Sequence, residues 1–111
     1  MPRKQASTRG RSLAARKPTV DEILASGARL NRTLKDFLKL DLQTSLTFSG
    51  LALQSTDDPA KRQRNRQHAR HGYDTITHLL DRVALDRSDA RAITRDLRRL
   101  KSELRQLGET F

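Results

Sequence analysis

The sequence has no cysteine and no tryptophan, and it has only one tyrosine and three phenylalanines among its 111 residues. Without cysteine, the chain can form no disulfide, no thiolate nucleophile and no zinc site with cysteine ligands. Because aromatic residues are so few, we expect a core built mainly from leucine. A folded part of about 90 residues buries little more than about 60% of the surface of its unfolded chain, so we expect modest stability.

Long apolar runs and the common catalytic motifs are also missing. No run of about 18 apolar residues, the length that spans a membrane, is present, and the first residues lack the apolar segment of a secretory signal. There is no glycine-rich phosphate loop and no serine-nucleophile motif. We therefore expect a cytoplasmic protein that is not an enzyme, needs no cofactor, and has no membrane partner and no small-molecule substrate.

The formal net charge of +10 comes from two blocks of the sequence. Residues 1–20 contain six basic residues and no acid, and residues 59–72 contain five basic residues and no acid. The segments 21–58 and 73–111 are close to balance. The first block is also rich in small and polar residues and poor in large apolar ones, so we predict that residues 1–18 form a disordered arginine- and serine-rich tail.

The first helix is predicted from a capping box that runs from Thr19 to Glu22 and places the helix start near Val20. The segment that follows has two interpretations, because its large apolar residues fall both on even positions, as in a strand, and at helical spacing. The even positions are Leu38, Leu40, Leu42, Leu46 and Phe48, and the helical stripe is Leu38, Leu42, Leu46 and Leu53. Since no other segment could pair with a lone strand, we predict helices at about 20–38 and 40–56 and leave open whether they are continuous.

The next helix is predicted from Asp58 and Pro59, because an aspartate N-cap before proline is a strong start signal. We expect this helix to span about 59–84. Its apolar residues repeat at 4-3-4-3 spacing, which is typical of a coiled-coil-like seam. The residues of this seam are Ala69, Tyr73, Ile76, Leu80 and Val83.

A last helix is predicted at about 88–107, with Asp86 or Ser88 as its N-cap and Gly108 at its end. It carries a second seam of the same spacing. The residues of this seam are Ile93, Leu97, Leu100, Leu104 and Leu107. Short connections favour antiparallel neighbours, so we predict an all-α fold, a small antiparallel bundle of three or four helices over residues 19–108.

The most unusual segment is the basic block at the start of the helix that follows Pro59. Positive charge there opposes the helix dipole, and arginines four residues apart repel one another, so the arrangement needs compensation. Either the arginines pair with acids inside the bundle, or the block binds a phosphate backbone or an acidic partner. The candidate anion or nucleic-acid-binding residues are Lys61, Arg62, Arg64, Arg66 and Arg70.

The same block contains histidines. Arg64 and Arg66 lie shortly before His71, and this spacing is similar to the arginine–histidine motif of the HEPN ribonucleases, which are all-helical. The resemblance covers only this segment, and it implies that Arg64 or Arg66 stabilises the phosphate while His71 transfers a proton. His68, His71 and His78 could also suggest a metal, but a cation within a basic block is disfavoured, so we expect no metal site.

The sequence thus supports three hypotheses of function. The leading one is a non-enzymatic helical protein-interaction module, in which the seam from Ile93 to Leu107 packs against a second copy or another protein. The alternative is sequence-independent binding of nucleic acid through the tail and the block at 61–70. The second alternative is a ribonuclease similar to the HEPN family.

Overall fold

The computed structural model describes residues 17–111, and this part of the chain contains three α-helices and no strand. The helices are α1 (Val20–Gln54), α2 (Pro59–Leu79) and α3 (Arg87–Gln106), and a 3-10 turn (Leu80–Arg82) follows α2. The predicted all-α class is confirmed. The tail predicted for residues 1–18 falls almost wholly on residues 1–16, which lie outside the described residues.

α1 is a single helix through the segment that the sequence left open. The helices predicted at about 20–38 and 40–56 are one helix, because residues 39–41 contain neither proline nor glycine to interrupt the backbone ladder. The predicted capping box is present at its start. The Glu22 N–H donates to the Thr19 hydroxyl at 3.1 Å, and the Thr19 N–H donates to the Glu22 carboxylate at 3.4 Å.

α2 begins as predicted, with Asp58 as its N-cap and Pro59 in its first turn. It ends at Leu79, earlier than the predicted end near residue 84. Beyond the 3-10 turn, the Asn31 side chain accepts a hydrogen bond from the Ala84 N–H at 2.7 Å and donates to the Ala84 carbonyl at 3.0 Å. These bonds satisfy backbone groups that a longer helix would otherwise have to satisfy.

α3 has local signals at both of its ends. Of the two proposed N-caps, Asp86 is the one used, and its carboxylate accepts a hydrogen bond from the Asp89 N–H at 2.7 Å. Gly108, with a φ of +96°, ends the helix in the left-handed conformation. This conformation lets the Glu109 N–H donate to the Leu104 carbonyl at 2.9 Å.

The core lies in the compact unit formed by residues 31–111, and all three helices contribute to it. The buried apolar residues are Leu38, Leu42, Ala52, Ala69, Ile76, Ile93, Leu100, Leu104 and Leu107. The described residues 17–30 belong to a separate unit, and Val20, Ile23 and Leu24 are exposed there. The apolar stabilisation of the second unit therefore comes mainly from leucine and isoleucine, as the scarcity of aromatic residues predicts.

The contact between α1 and α2 depends on small side chains. Past Leu42 the buried line of α1 continues with serine and alanine, whereas the predicted Leu46 and Leu53 are only partly buried. The small buried residues are Ser45, Ser49 and Ala52. On α2, a Cβ atom added to the buried Gly72 would lie 3.0 Å from the Cβ of Ser45 and nearer still to its hydroxyl. The two helices thus approach each other closely where Gly72 meets Ser45.

α1 and α3 are joined by polar contacts as well. The four contacts are Lys35 Nζ to Asp89 Oδ2 (3.4 Å), Lys39 Nζ to Asp89 Oδ1 (2.8 Å), Gln43 Nε2 to Asp96 Oδ2 (3.4 Å) and Ser49 Oγ to Glu103 Oε1 (2.9 Å). They run in the same order along both helices, so α1 and α3 point in the same direction. The hydrogen bond from Lys39 lowers the pKa of Asp89, and the same bond raises the pKa of Lys39.

Candidate functional site

The predicted basic block occupies the first turns of α2, and the structure divides it into two sets. Arg62, Arg66 and Arg70 lie four residues apart and are partly buried. Lys61 and Arg64 are exposed, and neither has an ion-pair partner among residues 17–111. As an anion site, the block therefore presents two unpaired cations from the described part of the chain, and binding of nucleic acid through it stays a prediction.

Two of the partly buried arginines lie against the ends of the neighbouring helices. Arg62 Nη1 donates to the Ala52 carbonyl at 3.4 Å, and Arg66 Nη1 donates to the Leu107 carbonyl at 3.2 Å. Arg66 Nε also lies 3.7 Å from a carboxylate oxygen of Glu109. The last carbonyls of a helix have no partner within the helix and carry partial negative charge. The C-terminal ends of α1 and α3 thus offset the positive charge at the start of α2.

The third partly buried arginine binds the segment that follows α3. Arg70 Nη1 donates to the Thr110 carbonyl at 2.6 Å and lies 3.7 Å from a Glu109 carboxylate oxygen, while its Nε donates to Asp74 at 3.1 Å. Its guanidinium carbon is 4.2 Å from the centroid of the Phe111 ring, a cation–π contact. Arg70 therefore connects α2 to the end of the described chain through several weak contacts at once.

Neutralising two of these engaged arginines is expected to destabilise the protein more than neutralising the two exposed cations. Arg66→Gln with Arg70→Gln should lower the free energy of unfolding by about 1–2 kcal/mol, because charged hydrogen bonds to partly buried carbonyls are lost. Lys61→Gln with Arg64→Gln removes the same charge and should change it by less than about 0.5 kcal/mol. Urea unfolding measures both values, and equal losses would contradict a structural role for the first pair.

The residues of the ribonuclease-like pattern differ in their surroundings. His71 and Arg64 are exposed, whereas Arg66 is engaged within the chain. Burial raises the pKa of the Asp41 carboxyl, and the positive charge of His71 opposes this rise. Of the two arginines in the pattern, only Arg64 has its guanidinium unengaged within residues 17–111, and the ribonuclease role stays a prediction.

Of the other two histidines, His68 contacts an aromatic ring of α1. The His68 ring stacks on the Phe48 ring of α1, with a distance of 4.9 Å between ring centroids. Across residues 17–111, no three histidine, aspartate or glutamate side chains are grouped closely enough to hold a metal ion. In the same range, no helix combines the length and the apolar character needed to cross a bilayer.

The seam predicted to bind a partner lies in the core of the chain. Its buried members have exposed fractions of 4% or less, and Leu97 is partly buried and packs against the same core. The buried members are Ile93, Leu100, Leu104 and Leu107. The seam therefore packs against other helices of the same chain. Contact with a partner through these residues stays a prediction that requires α3 to leave the core.

α1 carries a second line of uncharged residues, which the sequence interpretation above did not identify. Its members are spaced 4-3-4-3-4 over residues 33–51, and all of them are exposed. They are Thr33, Phe37, Leu40, Thr44, Thr47 and Leu51, and we call them the α1 outer stripe. The pattern is present in the sequence, but it can be recognised only when residues 20–54 are taken as one helix.

The α1 outer stripe is more apolar than its three threonines suggest. The Thr44 hydroxyl donates to the Leu40 carbonyl at 2.9 Å, and the Thr47 hydroxyl donates to the Gln43 carbonyl at 3.0 Å. Both hydroxyl hydrogens are thus satisfied within α1 and need no water. The stripe also contains large apolar side chains, with Leu40 68% and Phe37 45% exposed. The stripe could pack against an apolar surface without leaving these two hydroxyl donors buried and without a hydrogen bond.

α3 separates its charges between two sides, a feature hidden by the near balance of the segment 73–111. The acids that face α1 are seven residues apart, and each is bonded there. They are Asp89, Asp96 and Glu103. Four of the exposed arginines occur at spacings of four, four and three residues on the other side. They are Arg87, Arg91, Arg95 and Arg98, and we call them the α3 outer face.

Comparisons of the chain with protein-family models, with curated proteins and with solved structures found no match. The function is therefore argued from the two surfaces described above and from the contacts that occupy the other candidate residues.

Proposed function

We propose that this chain is a small antiparallel helical bundle that acts as a non-enzymatic protein-interaction module, and that it pairs with a second copy through the α1 outer stripe. The observation that carries the proposal is a row of six exposed, uncharged residues in a protein in which 32% of all residues are charged. Contiguous apolar surface of this kind is uncommon on monomeric proteins and marks interaction sites. The seam of α3 offers no such surface, because it is buried in the core.

A second copy fits the stripe because the stripe is complementary to itself. When two copies of α1 run in opposite directions about Leu42, each large residue of the stripe faces a threonine of the other copy. The facing pairs are Thr33 with Leu51, Phe37 with Thr47, and Leu40 with Thr44. This alternation of large and small residues suits knobs-into-holes packing, and the two-fold arrangement uses the same patch on both copies.

The size of the stripe supports a weak dimer. From Thr33 to Leu51 the helix rises about 27 Å, and a helix with its side chains is about 10 Å wide. Two such footprints together fall well below the total of about 1,000 Å² that specific, stable interfaces bury, so the contact belongs to the weak and transient class. We expect a dimer that dissociates on dilution.

The variant that tests the dimer is Leu40→Lys. Lysine has about the same helix propensity as leucine, so the fold should be retained, while a charge at the centre of the contact should raise the dimer dissociation constant at least about tenfold. Analytical ultracentrifugation across a wide range of protein concentrations measures this constant. Gln67→Lys adds the same charge on an exposed position of α2 and should leave the constant unchanged.

Two results would contradict the proposal. One is a wild-type protein that stays monomeric at the highest concentration studied. The other is a dimer that Leu40→Lys and Gln67→Lys weaken equally, since the loss would then reflect net charge rather than the stripe.

A further inference from the structure

We propose that the α3 outer face binds the phosphate backbone of double-stranded nucleic acid without reading its sequence. The face is distinct from the basic block of α2 and from the α1 outer stripe, so this proposal does not depend on the dimer. It rests on the separation of charge on α3 and on the shape of the surface between the arginines.

The acids that could neutralise this face are engaged elsewhere. Asp89 pairs with Lys35 and Lys39 of α1, at 3.4 and 2.8 Å, and Glu103 accepts hydrogen bonds from Ser49 and Arg99. Three arginines of the face, at positions 87, 91 and 98, have no ion-pair partner within the part of the chain that the structure describes.

The fourth arginine of the face has only a weak partner. Arg95 pairs with its neighbour Asp96 at 3.1 Å, but its side chain is 74% exposed, and exposed pairs contribute little. The face therefore keeps most of its positive charge. Since arginines four residues apart repel each other on a helix, an external anion would relieve a repulsion that the exposed Arg95–Asp96 pair offsets only in part.

The spacing of the arginines suits several phosphates at once. Arg87 and Arg98 are separated by about 16 Å of helix rise, and a nucleic-acid duplex carries one negative charge per about 1.7 Å of its axis. Ala90 and Thr94 line the open groove between the arginines. Because both are small, phosphate oxygens can reach the planar guanidinium groups, which bind phosphate through paired hydrogen bonds.

The composition of α3 favours contact with the phosphate backbone of a duplex over binding of single-stranded nucleic acid or of a membrane surface. The helix contains no aromatic residue on which an unpaired base could stack, so the surface suits a duplex and offers no means of reading bases. A membrane surface is less suitable, because an interfacial helix must insert an apolar side into the lipid. The apolar side of α3, which includes Leu100 and Leu104, is buried in the core.

The test compares two triple variants that remove the same charge. Arg87→Gln/Arg91→Gln/Arg98→Gln neutralises the α3 outer face, and the matched control neutralises three exposed cations of other elements. The control is Lys61→Gln/Arg64→Gln/Arg82→Gln. Fluorescence anisotropy with a short labelled DNA duplex, at several salt concentrations, gives the affinity and its salt dependence. All six positions are exposed, and thermal unfolding followed by circular dichroism checks that both variants fold.

We expect the wild-type affinity to fall steeply with salt, by about 0.9 in the logarithm of the binding constant per phosphate contact and per decade of salt. The α3 variant should bind at least about tenfold more weakly at low salt and should lose between about two and three units of this slope. The control should keep most of the slope. An equal effect of the two variants, or wild-type binding that is insensitive to salt, would overturn the proposal.

Two further probes separate duplex binding from other sources of negative charge. A poly-glutamate peptide and vesicles that contain phosphatidylserine are each offered to the wild-type protein at the same salt concentrations. If either binds as tightly as the duplex and loses affinity in the α3 variant, the face serves a different anion and the assignment to nucleic acid is wrong. If the duplex binds but the α3 variant binds it unchanged, the contact lies in residues 1–20 or in the block of α2.

Discussion

Replacing Gly72 with alanine is expected to lower the free energy of unfolding by about 3 kcal/mol. The new methyl group would collide with Ser45, whose Cβ lies 3.0 Å from its position and whose hydroxyl lies nearer. Both residues are buried within helices, so neither can move aside without shifting α1 away from α2. Urea unfolding gives the free energy, and we expect the slope of the transition to stay unchanged because the same surface is exposed.

Gly50→Ala is the matched control for this prediction. Gly50 also lies inside a helix, but nothing is within 4 Å of a Cβ atom placed there. Alanine should therefore be neutral or should stabilise the protein by up to about 1 kcal/mol. Adding Ser45→Gly to Gly72→Ala should recover part of the loss, since it removes the atoms that collide. A Gly72→Ala variant as stable as the wild type would show that α1 and α2 do not approach closely at this position.

Leu104→Ala is expected to have an effect of similar size, about 3 kcal/mol. Leu104 is fully buried, with an exposed fraction of 0%, and it packs in the core shared by the three helices. The substitution leaves a cavity that this close-packed core can only partly fill. Thermal and urea unfolding both report the loss.

The same variant separates the core from the proposed interface. Leu104→Ala should leave the dimer dissociation constant unchanged under conditions in which the variant is fully folded, whereas Leu40→Lys should change that constant and leave the free energy of unfolding of the monomer nearly unchanged. If Leu104→Ala weakens the dimer without lowering stability, the dimer forms through the seam of α3 and not through the α1 outer stripe. Measuring both quantities for both variants makes this distinction.

The starts of the helices could be predicted because their signals are local. Each depends on a side chain and a backbone group no more than three residues apart, as at Thr19, Asp58 and Asp86. Ends that depend on distant residues could not be predicted in the same way. The chain that follows α2 is bound at Ala84 by Asn31, which lies more than fifty residues before that backbone group.

The helical stripe predicted in α1 does face the core, since Leu38 and Leu42 are buried and Leu46 and Leu53 pack against it, but the burial of the serines beside it was not predicted. Ser45 is buried where Gly72 lies opposite it, and Ser49 is buried where it bonds to Glu103. Both neighbours belong to other helices, so the sequence of α1 alone does not reveal them. Leu40, in contrast, is exposed. Hydrophobic spacing identifies the sides of a helix, but the residues across the contact decide which side is buried.

The candidate site shows the same division between local and distant information. The sequence located the basic block of α2 and indicated that its charge needs compensation. The compensating groups include the backbone carbonyls of Ala52 and Leu107 at helix ends, and a count of charged side chains does not include backbone carbonyls. Charge totals over a segment also concealed the α3 outer face. Bases and acids nearly cancel over the segment 73–111, but within α3 the three acids lie on the side that faces α1 and the arginines of the outer face lie on the other side.

The polar contacts between α1 and α3 have a consequence for the order in which the chain folds. They join residues 50 to 54 positions apart, with the whole of α2 between them. Closing so long a loop costs more chain entropy than bringing together α2 and α3, which are neighbours in the sequence. Helices that are neighbours in the sequence, α1 with α2 and α2 with α3, can therefore pair before α1 meets α3. Until α1 and α3 meet, part of the leucine seam of α3 is open to water, so the speed of that step governs how long the protein is exposed to aggregation during folding.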